Sequence, residues 1–197
     1  KSAVFLLTQN EETLKSYPWN FEFRIKYTLK KNAIKIDYDI KNTSKNDMYA
    51  AVGSHEAYAC FDGIENYDIV FEKEETLNSH ILCQNGISRS KTAILNKGKV
   101  LPIYKKYFDV DALIFTDLKS RFATLRNRVT GEETSVSFKG FDNLLIWTKQ
   151  GGAPYICIEP WAGFPSFEDE GYDITKKEGM TKIKPLRCMK RTHTIYL

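Results

Sequence analysis

The sequence predicts an all-β chain, a large antiparallel β sandwich, on three observations: apolar residues recur at every second position, short polar turns separate the runs, and helical periodicity is nearly absent. The alternation is clearest in Phe21-Glu22-Phe23-Arg24-Ile25-Lys26-Tyr27-Thr28-Leu29 and in Ala33-Ile34-Lys35-Ile36-Asp37-Tyr38-Asp39-Ile40. Lys30-Lys31-Asn32 joins them as a hairpin turn, and the polar run from Asn42 to Asp47 closes the second strand.

Further strands are expected around Met48–Val52, Tyr67–Phe71, Phe122–Asn127, Thr134–Phe138, Leu144–Trp147 and Tyr155–Glu159, between turns carrying Asp-Gly, Asn-Gly and Thr-Gly. Helical turns are expected only at Glu11–Tyr17, Lys105–Asp111 and Thr175–Gly179. Sheets patterned in this way bury their apolar faces against another sheet. The 197 residues suit one domain spanning 1–197, with no internal repeat, low-complexity tract or linker to divide it.

Charged residues make up 27% of the chain and the net charge of +4 is dispersed, which argues against a nucleic-acid partner. No apolar run is long enough to predict a membrane span, and Lys1 to Asn10 lacks a cleavage pattern. Cys60, Cys83, Cys157 and Cys188 are too sparse for a disulfide scaffold and too scattered for a local metal motif, so a reducing, cytoplasmic setting is expected. Cys60 and Cys157 read as small packing residues.

Two segments carry the candidate chemistry. Ser54-His55-Glu56-Ala57-Tyr58 places an imidazole at a probable strand end, and a neutral histidine gives or takes a proton near pH 7. If the strand continues, Glu56 points to the opposite face and is a poor partner for His55. Ile156-Cys157-Ile158-Glu159-Pro160-Trp161 ends an apolar run on a carboxylate, and Pro160 is expected to end the strand and leave Glu159 at its rim beside an indole. Partial burial there suits a general base, while a structural ion pair satisfies the same pattern. His80 and His193 read as lying in polar surroundings.

A histidine and a carboxylate on separate strands fit acid–base chemistry on a neutral polyol such as a sugar. Trp147, Trp161, Phe164 and Tyr58 are candidates for the flat floor of a sugar site, although core filling explains aromatics equally well. Asp111 precedes an apolar strand and reads either as an acceptor of sugar hydroxyls or as a turn cap. Neither a metal motif nor a cofactor site is legible: Gly151-Gly152-Ala153-Pro154 lacks the helix and lysine–serine pair of a phosphate loop, and Asp169-Glu170-Gly171 is a solvated turn.

Three segments in order, Val52 to Tyr58, Phe108 to Phe115 and Ile156 to Gly163, resemble the aldose 1-epimerase (galactose mutarotase) family, in particular its LacX-like bacterial branch. The resemblance covers Phe5 to Lys184 and corresponds to the C-terminal two-thirds of a family member. It implies an antiparallel β supersandwich, here without the N-terminal strands, and cofactor-independent interconversion of the α and β anomers of a free hexose, with Glu159 as base, His55 as acid, and Asp111 and Trp161 at the sugar. A catalytically inactive sugar-binding protein and a hexose-phosphate epimerase are the other activities it admits.

Relatives carry opening strands, a substrate-binding basic residue and often a further histidine before the equivalent of Lys1, so uncovered strand edges, a partly built cleft and a homodimer are expected here. Phe61 and the Phe164-Pro165-Ser166-Phe167 run depart from the family's usual residues.

Overall fold

The computed structural model describes residues 1–197 and contains fifteen strands. In chain order they are β1 (Ser2–Thr8), β2 (Phe21–Leu29), β3 (Ala33–Asn42), β4 (Met48–Ala50), β5 (Val52–Gly53), β6 (Ala57–Ala59), β7 (Tyr67–Cys83) and β8 (Gly86–Pro102). They continue as β9 (Leu113–Phe115), β10 (Phe122–Asn127), β11 (Glu133–Ser137), β12 (Asn143–Trp147), β13 (Tyr155–Ala162), β14 (Thr181–Ile183) and β15 (Cys188–Tyr196).

Of the expected helical turns, Glu11–Ser16 forms α1, closed by a reciprocal capping box between Asn10 and Thr13. Lys105–Phe108 is a 3-10 turn. Thr175–Gly179 forms no helix, and the Asp173 carboxylate instead accepts from the backbone N–H of Thr175 at 3.0 Å. No helix is long and apolar enough to cross a membrane.

Eight strands form one antiparallel sheet in the order β1-β2-β3-β15-β11-β10-β7-β8. A smaller sheet has the order β5-β13-β12-β9, with β6 also paired to β13. Their inner faces meet in one core, where Ile36, Ile69, Phe71 and Val136 of the large sheet pack with Leu144, Ile146, Ile156 and Ile158 of the small one. The alternation in β2 and β3 is thus explained by the need of each sheet to bury one face.

β7 and β8 extend as a hairpin of 17-residue strands beyond the large sheet, with several register shifts between Val70 and Leu82. These bulges let the hairpin bend. Its tip covers the outer face of the small sheet, where Ile87, Ile114, Leu145 and Phe167 form a second, smaller core. Gly86 makes that approach possible: its φ is +145°, and a Cβ there would stand 2.2 Å from the Ser166 carbonyl oxygen. At the other edge of the large sheet β1 pairs only with β2, and Val4, Phe5, Leu6 and Leu7 are all exposed.

Candidate active site

The site lies on the outer face of the small sheet. Along β13, Ile156, Ile158 and Ala162 enter the main core, so Cys157, Glu159 and Trp161 face the other way, under the hairpin tip. Pro160 does not end the strand as the sequence predicts; β13 runs through it to Ala162. The neighbour on that side is interrupted instead. β5 pairs with Trp161 and Ala162, β6 pairs with Tyr155 to Cys157, and residues 54–56 leave the ladder between them.

His55 occupies this break, and its Nδ1 lies 3.2 Å from Glu159 Oε1. The imidazole is 60% exposed whereas the Glu159 side chain is 3% exposed, so the two groups divide the site into a wet and a dry partner. Burial pushes the Glu159 carboxyl up to about 7, opposed by His55 and by the nearby Trp161 indole. That places the carboxyl where it can exchange a proton near neutral pH.

Trp161 is fixed from two directions. Its Nε1–H donates to the Ser54 carbonyl at 3.2 Å, and its ring rests so close to Gly53 that a Cβ at residue 53 would lie 2.5 Å from the indole. Trp147, at the other side, sets its ring edge-on to His55 with centroids 5.5 Å apart and donates its Nε1–H to Asp111 Oδ1. Asp111 itself adopts φ +92°, a conformation that side-chain-bearing residues rarely take and that is found disproportionately at functional positions.

Together His55, Asp111, Trp147, Glu159 and Trp161 line an open cavity of about 380 Å³, completed by Leu82, Ala112, Ile114, Leu145 and Pro165. Five of the seven side chains expected at the site therefore converge. Tyr58 does not. It lies opposite Ile156 in the β6–β13 pair, so it shares that residue's face and is buried in the main core, away from the cavity. Phe164 packs against the second core, next to Phe167.

The other two histidines, expected in polar surroundings, are both buried, although His80 keeps polar partners. His80 is buried, with its ring nitrogens against the Ser88 carbonyl and the Thr116 hydroxyl, and His193 is fully buried. The hydrophobic wall from Leu82, Ala112, Ile114 and Leu145 escaped the sequence reading, although the shared parity of Leu145 and Trp147 was a usable signal.

Sequence spacing shows no metal motif, yet the fold brings ligand-bearing atoms of His55, Cys157 and Glu159 within 4.8 Å of one another. Burial pushes the Cys157 thiol up to about 12, so a cation there would have to displace a tightly held proton. The same carboxyl and imidazole stand within reach of proton exchange, in a cavity lined by two indoles.

Fold and site define a class: an antiparallel β supersandwich with a histidine–carboxylate pair in an aromatic-walled cavity on the outer face of its smaller layer. The aldose 1-epimerase family model matches residues 1–170, and the chain belongs to that family. It is 30% identical over 202 aligned positions to the chromosomal protein LacX of Lactococcus lactis subsp. lactis, a match covering 98% of this chain and 68% of LacX. A galactose mutarotase related enzyme from Lactobacillus acidophilus superposes with a TM-score of 0.91 at 25% identity, covering all of this chain and 67% of that one. A galactose mutarotase-like protein from Lactobacillus casei ATCC 334 shares the fold at a TM-score of 0.89 and 22% identity, covering 99% of this chain and 69% of that one.

Proposed function

We propose that the chain acts as an aldose 1-epimerase on a free hexose such as glucose or galactose, without a cofactor. The observation that carries this reading is the 3.2 Å approach of His55 Nδ1 to Glu159 Oε1 at the mouth of a cavity walled by Trp147 and Trp161.

In this reading the reactive pair is imidazolium and carboxylate. Glu159 removes the proton from the anomeric hydroxyl while His55 protonates the ring oxygen. The C1–O5 bond breaks and C1 becomes an aldehyde carbon. Rotation about C1–C2 presents the other face, O5 loses its proton to His55 as it attacks C1, and Glu159 returns a proton to the carbonyl oxygen. No net proton is consumed, so both residues finish as they began. The indoles offer flat faces to the ring carbons, and Asp111 accepts a hydroxyl proton.

A sugar-binding protein without turnover would use the same walls and Asp111. The close approach of His55 to the buried Glu159 carboxyl favours turnover over binding alone. The absence of disulfides among Cys60, Cys83, Cys157 and Cys188 suits a cytoplasmic setting. Polarimetric relaxation of freshly dissolved α-D-glucose and α-D-galactose tests the proposal: acceleration proportional to protein concentration is expected, and saturable binding without acceleration would assign a binding role.

A further inference from the structure

The residue following the candidate acid, Glu56, takes no part in the chemistry above, and its partner is equally unused. Ser54, Glu56 and Tyr58 project alternately toward the interior while His55 and Ala57 point out. Glu56 Oε2 is buried and lies 3.3 Å from Nε2 of His193, on β15 of the large sheet. His193 is fully buried, stacked on Tyr38 at 5.7 Å with an interplanar angle of 21° and set edge-on to Phe141 at 6.1 Å. Neither Nε2 nor Oε2 has another protein partner.

We propose that the Glu56–His193 contact is a tether across the sandwich that positions His55 against Glu159, making Glu56 and His193 positioning residues for the proton-transfer pair. The proposal rests on the epimerase reading and on the local geometry of residues 54–56. These residues interrupt the β5–β6 side of the ladder, and His55 itself is more than half exposed. Ser54 donates to the Pro160 carbonyl at 3.1 Å and so anchors the start of the break. The contact that anchors its far end into the core is Glu56 on an imidazole whose ring is clamped between two aromatic rings.

Successive residues of an extended segment point to opposite sides, so fixing Glu56 inward fixes His55 outward. Burial raises the Glu56 carboxyl, but contacts with His193 and Ser54 outweigh it and hold the group below its ordinary range, consistent with an ionised anchor.

Two variants separate positioning from mere structural support. Glu56→Gln keeps the shape and removes the charge, and Glu56→Leu combined with His193→Phe removes the polar contact while refilling the volume. Apolar replacement of a buried ion pair commonly preserves stability, so the double variant should melt near the unmodified protein. The expected result is that both variants lose about 10- to 100-fold in kcat on D-glucose, with KM changed by no more than about twofold.

The second readout is independent of turnover: nitrogen-15 NMR of the three histidine rings, with His55 assigned through His55→Asn. The His55 ring signals are expected to move and sharpen in both variants as the imidazole leaves Glu159. A stable double variant with unmodified kcat and unmodified His55 signals would overturn the tether. If the unmodified protein accelerates no mutarotation, the functional reading fails by itself and the His55 signals alone decide the positioning claim.

Discussion

Ser54, the residue just after β5, makes one backbone hydrogen bond with Pro160 of β13 where a hydrogen-bonded antiparallel pair would exchange two. The Ser54 N–H donates to the Pro160 carbonyl, but proline has no N–H to return the bond. The orphaned Ser54 carbonyl instead accepts from the Trp161 indole, which is thereby turned into the cavity wall. The Glu-Pro-Trp sequence is thus a positioning device: proline is tolerated where the neighbouring strand breaks, the break exposes His55, and the freed carbonyl orients Trp161.

Close packing at Gly53 makes Trp161 sensitive to a single methyl group. Gly53→Ala would put a Cβ 2.5 Å from the indole and drive the ring from its place. Thermal unfolding should report a loss of about 1–3 kcal/mol, the usual range for overpacking. Sugar affinity should fall in parallel, visible as quenching of tryptophan fluorescence that requires more D-glucose to saturate.

Asp111 trades stability for a contact. At φ +92° an aspartate is strained, whereas glycine adopts this region freely. Asp111→Gly should therefore raise stability by about 1 kcal/mol in urea unfolding while KM rises, because the acceptor beside Trp147 is gone. A less stable variant with unchanged KM would remove Asp111 from the sugar site.

Glu159 makes a related trade, and its sign depends on pH. The folded-state value of about 7 lies above the ordinary 4.5, so the folded protein holds this proton more tightly than the unfolded chain. Its favourable contribution is complete below about pH 4.5 and is lost as pH rises through 7. Glu159→Gln should accordingly gain on the unmodified protein between pH 5 and pH 8, by roughly 1–3 kcal/mol. Denaturant unfolding at the two pH values measures this difference.

The same group sets the pH dependence of turnover. A base that titrates at about 7 predicts that kcat/KM falls tenfold per pH unit well below that value. A rate that stays flat down to pH 5 would exclude Glu159 as the base.

Much of the architecture was legible because β3 and β10 bury one face and so alternate, while β12, buried on both faces, reads as a short continuous apolar run. The β7–β8 hairpin was harder, because its bulges interrupt the period. β15 was hidden because Arg191 and His193 occupy inward positions that a reading by hydrophobicity assigns to solvent. At the site, the residues before and after Pro160 were legible as types, but not the continuation of the strand, which depends on a break in its neighbour rather than on Pro160 itself. Tyr58 was misplaced because residues 54–56 leave the ladder, and only the resumed pairing with Ile156 fixes which face it takes.

The most direct measurement is the anomer exchange rate of D-glucose and D-galactose by polarimetry, with the unmodified protein and Glu159→Gln compared at equal concentration and pH 7.5. The account predicts saturable acceleration by the first and a loss of about 10²–10⁴-fold in kcat in the second, with sugar binding largely retained. Equal acceleration by both proteins would contradict the assignment of Glu159 as the base.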